Sequence, residues 1–232
     1  MHDKISVIVP ILNEASNVAA LEAHIHKSAL HEVEVIFCDS PNSTDFSYRK
    51  LFHHHTLYIK CKKAGRAAQM NHGARSAKGD IILFCHADVK LPFHFDVEIK
   101  NCLAEGHEMG LFKYRFSPTN ALLNINAAQT GKDGIFVGGG DQCHFFTRKS
   151  FFDLGGYDEH YVIMEDFALF KKVKKSNLPY KIIQKPAIVS ARKYQKNSYL
   201  KVNLINLIAF TMFGMRISPQ FIKNFYSNAL KS

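Results

Sequence analysis

The stretch Asp80-Ile81-Ile82-Leu83-Phe84-Cys85-His86-Ala87-Asp88 is a short apolar run that ends in a lone carboxylate. Two further apolar runs, Lys4–Pro10 and Glu34–Asp39, are likewise followed by a polar loop and then a helix-like segment. This alternation predicts an α/β fold. Because the runs lack polar alternation, we expect strands that are buried on both faces of a mostly parallel sheet flanked by helices.

Several polar residues follow these strands at the edge of the sheet where ligands bind in open α/β folds. They are Asn13, Glu14, Asp39 and Asp88. A second carboxylate position, Glu165-Asp166, opens an amphipathic run about eighty residues later and is the best candidate for a catalytic base. We predict that the strand-end acids and this pair form one site. Acids also stabilise helix N-termini, which is the alternative interpretation of the pair.

Length and composition are those of one α/β domain with an extension. The 232 residues are 47% hydrophobic, enough for a sizeable core, and we place the domain at 1–190 and a basic, apolar helical extension at 191–232. Since the N-terminus lacks a signal-peptide pattern and no apolar stretch approaches about 20 residues, we expect a cytoplasmic protein. The five scattered cysteines indicate buried, reduced thiols.

Charge is concentrated at the C-terminal end. From Phe167 to Ser232 there are 13 Lys and Arg residues and no Asp or Glu, so the overall charge of +10 comes entirely from this segment. A basic segment indicates an anionic partner such as a diphosphate, a phospholipid surface or nucleic acid. A solvated surface that aids solubility is the alternative.

Two glycine-containing segments add candidate ligand contacts. Residues 64–80 predict an Ala-rich helix that Gly79 ends, with Arg66 at its start, where a cation opposes the helix dipole and would be explained by phosphate binding. The triple glycine before Asp141 and Gln142 lets backbone approach a ligand through Gly140, and the two polar side chains suit sugar hydroxyls. A flexible turn is the alternative.

The order of these motifs resembles glycosyltransferase family 2, whose members have the GT-A fold. The residues that carry the resemblance span nearly the whole chain: Val7-Ile8-Val9-Pro10 with Asn13-Glu14, Asp39 with Ser43-Thr44-Asp45, Gly65-Arg66 to Gly79-Asp80, His86-Ala87-Asp88, Gly155-Gly156-Tyr157 and Glu165-Asp166. Three stretches look closer still to a bacterial subgroup of arsenosugar-biosynthesis-like glycosyltransferases: Gly65–Asn71, Leu83–Pro92 and Gly140–Gln142.

The resemblance implies transfer of a sugar, with inversion, from a nucleotide-diphosphate donor of the UDP or GDP type to an unidentified acceptor hydroxyl. Asp166 matches the general base, with Glu165 beside it, and Asp88 matches the acid that holds Mn²⁺ or Mg²⁺ on the diphosphate. Glu14 and Asp39 match positions near the nucleoside. The resemblance also implies donor contacts for a further set of residues: Pro10, Asn13, Arg66, Asn71, His86 and Ala87.

Two departures from the family pattern concern the donor site. His86 replaces the first acid of the metal motif, although one Asp can suffice when diphosphate and water complete the coordination shell. The loop after Asp39 is also about one residue longer than usual. The first departure keeps an inactive nucleotide-sugar-binding protein open, and a nucleotidyltransferase is the nearest rival enzyme. A nucleic-acid-binding module would leave the strand-end acids unexplained, and a dehydrogenase would need a Gly-rich first loop.

The segment Tyr199–Met215 predicts a helix that is apolar over most of its circumference. Because Lys193 and Lys196 precede it, Lys201 lies in its first turn and no acid is nearby, peripheral attachment to the inner leaflet of the cytoplasmic membrane is one interpretation. In the other, Leu204, Ile208 and Phe213 pack on the catalytic domain or on a second subunit of a homodimer, with 217–230 as a following helix.

Overall fold

The computed structural model describes residues 4–45, 53–134 and 137–230, and the strands in these ranges form one mixed sheet. The strands are β1 (Ile5–Ile11), β2 (Glu34–Asp39), β3 (Thr56–Lys60), β4 (Ile81–Phe84), β5 (Val89–Lys90), β6 (Met109–Ser117), β7 (Phe145–Thr147) and β8 (Tyr180–Ser190). Their order in the sheet is β3-β2-β1-β4-β7-β6-β8-β5. The first four are mutually parallel, β8 is parallel to β6, and β7 and β5 run antiparallel to their neighbours.

Helices cover both faces of this sheet, as the α/β prediction requires. The helices are α1 (Val18–Ser28), α2 (Arg66–Ser76), α3 (Phe95–Ala104), α4 (Ala121–Gln129), α5 (Arg148–Asp153), α6 (Glu165–Lys175), α7 (Arg192–Lys196), α8 (Tyr199–Gly214) and α9 (Pro219–Ala229). Apolar residues of α1, α3 and α4 form the core on one face, and those of α2, α5 and α6 form the core on the other. The GT-A fold prediction is confirmed.

The apolar first strand is buried along its whole length because it contacts both of these cores. Val7 and Val9 pack with α1, whereas Ile8 packs with α2. Side chains of a strand alternate between faces, so a strand covered on both sides has to be continuously apolar. The five cysteines are buried and free, as expected.

The end of α2 differs from the sequence prediction. Helix α2 ends at Ser76, three residues before Gly79. The Gly79 N–H donates to the Ser6 hydroxyl at 2.9 Å, and a Cβ at this position would lie 2.7 Å from the Lys4 carbonyl oxygen, so Gly79 is needed for close contact with β1. Helix α1 begins after Asn17 and has no side-chain cap.

The C-terminal segment forms α7, α8 and α9, close to the expected limits. The Phe213 ring contacts the Tyr161 ring at 5.7 Å between centroids, in agreement with packing on the preceding domain. Leu204 is instead 57% exposed, so it does not pack on the preceding domain, and packing on a second subunit stays a prediction. The division at residue 190 stays a prediction, and residues 1–3 lie outside the described ranges.

No helix in the described ranges combines the length and the apolar character that crossing a bilayer requires.

Candidate active site

Side chains from four separate segments meet beyond the carboxyl ends of β1, β2 and β4. One comes from the start of α2, two from the turn after β4, one from the loop before β7 and two from the start of α6. This group consists of Arg66, His86, Asp88, Asp141, Glu165 and Asp166. The strand-end acid and the Glu-Asp pair therefore share one site, as the sequence analysis predicted.

The two acids of α6 are both buried, although acids at a helix start are commonly solvated. Glu165 is 1% exposed, and its Oε1 lies 2.7 Å from Arg66 Nε. Burial and the neighbouring Glu165 charge raise the pKa of Asp166 to about 6, while His86 and Arg66 oppose that rise. Arg66, expected to contact phosphate, thus already neutralises one buried carboxylate and still has a side chain that is 47% exposed.

The His86 imidazole lies between two carboxylates. Its Nδ1 is 3.9 Å from Asp141 Oδ1, and its Nε2 is 3.9 Å from Asp166 Oδ2. Burial lowers the pKa of His86, but Asp141 and Asp166 outweigh it and raise the value to about 9. Both distances exceed hydrogen-bond length, and Nε2 is buried with no hydrogen-bond partner among the described residues. An unsatisfied buried nitrogen between carboxylates is a position that a cation or a ligand could complete.

Glycine at position 140 is required by this arrangement. A Cβ built on Gly140 would lie 2.2 Å from His86 Cε1 and 2.4 Å from Asp166 Oδ2. The backbone of residues 140–142, a short 3-10 turn, therefore packs directly against the imidazole and the candidate base. The triple glycine thus allows close packing, as predicted, but at Gly140 the backbone packs against side chains of the protein and not against a ligand.

One candidate metal-binding group is present in the described ranges. It consists of His86, Asp88 and Asp141, and one ligand atom from each lies within 4.8 Å of the others. Asp88 is exposed and Asp141 half-buried, so the group opens to solvent on one side. One imidazole nitrogen and two carboxylate oxygens form a mixed donor set that fits Mn²⁺ better than Mg²⁺, which prefers oxygen ligands.

Asp39 marks a second part of the site at the end of β2. Its Oδ2 accepts hydrogen bonds from the Tyr58 hydroxyl at 2.5 Å and from Lys60 Nζ at 2.8 Å. Its Oδ1 is buried without a hydrogen-bond partner among the described residues. A buried carboxylate oxygen usually finds a donor, so this atom is available for an N–H or O–H of a ligand.

The loops after β1 and β2 are hydrogen-bonded to each other beside Asp39. Asn13 adopts a left-handed φ of 57°, and its Oδ1 accepts from the Thr44 N–H at 2.8 Å. The Ala15 N–H donates to Asp45 Oδ2 at 2.6 Å. Glu14 accepts a hydrogen bond from Asn17 Nδ2 at 2.6 Å. Asn13 therefore fixes loop geometry, and Glu14 lies at the start of α1 with its carboxylate directed to the helix.

Four predicted site residues have surroundings that differ from a ligand pocket. The Asn71 amide bonds to the Tyr157 N–H and carbonyl, and the Gln142 amide bonds to Gly138 and Thr130. Both side chains are thus engaged by the protein's own backbone. Two other residues of the donor-site prediction are Pro10 and Ala87. Pro10 is buried within β1 opposite Cys38, and Ala87 lies half-buried between His86 and Asp88.

Two residues near the site were not foreseen. Tyr157 is buried with its hydroxyl unpartnered among the described residues, and burial together with the Asp166 and Glu165 charges raises its pKa. Burial raises the pKa of Asp141, yet His86 and then Lys193 of α7 hold it below its usual range. The extension thus contributes a charge to the site. The sequence marks Tyr157 only as part of the Gly155-Gly156-Tyr157 motif and Lys193 only as a cation before α8, because both residues reach the site through tertiary packing.

Comparison with known proteins agrees with this geometry. Residues 6–99 match the model of the family described as Glycosyl transferase family 2. No curated protein matches the sequence. The matched region contains β1 to β4 and four of the residues described above, Asp39, Arg66, His86 and Asp88.

Solved structures with the same fold cover almost all of this chain. S. aureus TarS matches with a TM-score of 0.66 and 15% identity over 97% of this chain and 42% of that one. TarS 1-349 in complex with UDP-GlcNAc matches with a TM-score of 0.63 and 17% identity, covering 97% and 71%. Mannosyltransferase PcManGT from Pyrobaculum calidifontis, in complex with GDP-Man and Mn2+, matches with a TM-score of 0.69 and 17% identity, covering 97% and 68%.

These identities are low, so the structural likeness establishes the fold. The chain spans less than half the length of full TarS. The family match is confined to residues 6–99, and the likeness over the rest of the chain is one of fold.

Proposed function

We propose that the chain transfers a sugar, with inversion, from a nucleoside-diphosphate sugar to an acceptor hydroxyl. One arrangement of side chains carries this proposal. The buried Asp166 carboxylate faces His86, and His86 also belongs to the group of His86, Asp88 and Asp141 at the strand ends. Sugar transfer needs a base at the attacking oxygen and positive charge at the departing diphosphate. The site holds candidates for both functions side by side.

The donor would lie across the ends of β1, β2 and β4. Asp39 Oδ1, buried and unpartnered, would accept a hydrogen bond from the nucleoside, and Arg66 would turn the exposed part of its guanidinium to the diphosphate. Two proteins of the same fold support a donor of this class, since TarS 1-349 is in complex with UDP-GlcNAc and PcManGT with GDP-Man.

A divalent cation would be held by His86, Asp88 and Asp141. Such an ion supplies charge that stabilises the departing diphosphate. PcManGT is in complex with Mn2+ as well as GDP-Man, and the mixed donor set here fits the same ion. A histidine must lose its proton to ligate a metal ion. The bound cation would then replace the imidazolium proton as the positive charge next to Asp141 and Asp166.

Asp166 would act as the general base. Its carboxylate would take the proton of the acceptor hydroxyl while that oxygen attacks the anomeric carbon and the bond from that carbon to the diphosphate breaks. The ion pair between Arg66 and Glu165 fixes the start of α6 and with it the position of Asp166. Gly140 and Asp141 would border the acceptor, because residue 140 packs against the base.

A catalytically inactive nucleotide-sugar-binding protein is the second candidate. His86 favours it, since this residue replaces a carboxylate of the usual metal motif and carries a proton when flanked by Asp141 and Asp166. Membership of the arsenosugar-like bacterial subgroup stays a prediction, because the matching family model is the general one.

A donor screen tests the proposal. UDP-, GDP- and dTDP-sugars are added with and without Mn²⁺, and thermal unfolding is followed by an assay for released nucleoside diphosphate. A donor at about 100 times its dissociation constant should add about 2.7 kcal/mol of stability. Asp88→Asn should remove the Mn²⁺ dependence, whereas Asp80→Asn, a change at an exposed carboxylate outside the group, should keep it.

Binding without release, for the chain with every donor, would favour the inactive binding protein. Equal binding with and without Mn²⁺ in the unaltered chain would contradict the metal assignment. If no nucleotide sugar stabilises the chain at all, the proposed function is wrong.

A further inference from the structure

The described part of the chain exposes an unusual concentration of large apolar side chains at its C-terminal end. Six of its thirteen exposed large apolar residues lie between positions 200 and 221: Leu200, Leu204, Leu207, Met215, Ile217 and Phe221. Leu200 is 77% exposed and Met215 is 70% exposed. Scattered apolar residues need no explanation, but a contiguous exposed set marks an interaction surface.

Helix α8 places three of these residues on one stripe. Leu200, Leu204 and Leu207 follow the spacing of one helix face, with Thr211 continuing it. The opposite face, formed by Val202, Ile205 and Ala209, is the one buried against the protein. The helix is therefore apolar on its packed side and also on its outer side. We call the outer stripe of Leu200, Leu204 and Leu207 the leucine stripe.

Cations accompany the leucine stripe, and acids do not. Lys201, Arg216 and Lys223 are exposed and form no ion pair with any described residue. The sequence from 167 to 232 contains no Asp or Glu. Lys201 follows Leu200 in the first turn of α8, so an unpaired cation lies beside the leucine stripe. An apolar stripe on a basic segment without acids matches the boundary of an anionic bilayer, where leucine enters the interface and cations meet the headgroups.

The same charges disfavour a second copy of this chain as the partner. A two-fold interface pairs the same surface on both subunits. It would bring the Lys201 side chains of the two copies to the same interface, in a segment that has no acid to separate the charges. Like charges without intervening acids oppose such a contact.

We propose that the leucine stripe of α8 binds the surface of an anionic phospholipid bilayer. Helix α8 also packs beside the candidate base, since the Phe210 ring lies 5.3 Å from the ring of Phe167, the residue after Asp166. Membrane contact thus places the acceptor side of the site next to lipid. That consequence rests on the proposed function, whereas the membrane contact itself does not.

Vesicle flotation tests the proposal with the full chain and without donor or acceptor. Vesicles of phosphatidylcholine alone are compared with vesicles that contain equal parts of phosphatidylcholine and phosphatidylglycerol, at low and at high salt. We expect binding to the anionic vesicles that weakens as salt rises. Because no transfer is measured, failure here leaves the proposed function standing, and failure of the donor screen leaves this result standing.

Matched variants separate the apolar and the charged contribution. Leu200→Ser with Leu204→Ser should abolish flotation, whereas Leu30→Ser with Leu57→Ser, also at exposed leucines, should not. Lys201→Glu with Lys223→Glu should weaken binding by about 20-fold or more, since each cation near an anionic surface is worth about fivefold in affinity. Lys27→Glu with Lys78→Glu is the control for charge, because it reverses two exposed lysines outside the C-terminal segment and should leave binding largely unchanged.

Unfolding curves of each variant establish that it is folded. Absence of flotation on anionic vesicles at low salt overturns the proposal, and so does flotation that survives the serine changes in the leucine stripe. Light scattering measures the oligomeric state. If the chain does not float but forms a dimer, and the serine changes dissociate that dimer, the leucine stripe binds a second copy and the proposal is wrong.

Discussion

Replacing Gly140 with alanine adds a single methyl group at the centre of the candidate site. The new carbon would lie 2.2 Å from His86 Cε1 and 2.4 Å from Asp166 Oδ2. Non-bonded carbon atoms rest at about 3.5 to 4.0 Å, so the imidazole or the carboxylate has to move by more than about 1 Å. The backbone at residue 140 is not in the left-handed region, so alanine adds no conformational strain of its own.

Two measurements follow from that displacement. A misplacement of about 1 Å costs on the order of 100-fold in rate, so we expect Gly140→Ala to lower nucleoside-diphosphate release by about that factor. Overpacking should also lower the free energy of unfolding by about 1 to 3 kcal/mol in denaturant titration. Nucleotide affinity measured by calorimetry without metal should change little, since Asp39 belongs to another part of the site.

Gly139→Ala is the matched control, because its Cβ would meet no atom closer than Phe167 Cζ at 3.3 Å. We expect it to retain most of the turnover and stability. Equal turnover of the two alanine variants would refute the reasoning, as would a structure of Gly140→Ala in which His86 and Asp166 have not moved.

Two further predictions concern the donor end and the turn beside it. Asp39→Asn should weaken nucleotide binding about 10-fold or more in calorimetry, because a charged acceptor is lost at Oδ1. The Mn²⁺ affinity of the apo chain should stay unchanged. Unchanged nucleotide affinity would remove Asp39 from the donor site. Asn71→Ala should lower the free energy of unfolding by about 2 kcal/mol, since the Tyr157 N–H and carbonyl lose their partner, whereas His72→Ala on the same helix should cost less than about 1 kcal/mol. A stable Asn71→Ala variant with impaired donor binding would instead favour the original assignment of Asn71 to the donor.

The strands were predictable because their signal is local. In β1, β2 and β4 burial on both faces forces an unbroken apolar run, and the run is visible in the sequence. Strand β3 at Thr56–Lys60 has no such run, since its residues are mostly half-exposed at the edge of the sheet. Gly79 was misassigned for a related reason. Glycine after a helical stretch commonly ends a helix, yet here the constraint is contact with the backbone of β1, 73 residues away at Ser6.

The members of the site were more predictable than their contacts. Asp88, Arg66 and Asp166 were found from their positions at the ends of elements, which place side chains at one edge of the sheet. The pairing of Arg66 with Glu165 joins residues 99 positions apart, and no sequence pattern encodes it. The backbone partners of the Asn71 side chain were hidden in the same way, because they belong to the turn at Tyr157.

The central claim is that Asp166 takes the proton of the acceptor. The most direct measurement is single-turnover sugar transfer by Asp166→Asn, with an acceptor identified by activity of the unaltered chain, beside Asp158→Asn as a control at an exposed acid. We expect the single-turnover rate of Asp166→Asn to be lower by about 10²- to 10⁴-fold, which is the range for a lost general base, while donor affinity is unchanged. A rate within about threefold of the unaltered chain, in a folded variant that binds donor normally, would contradict the assignment.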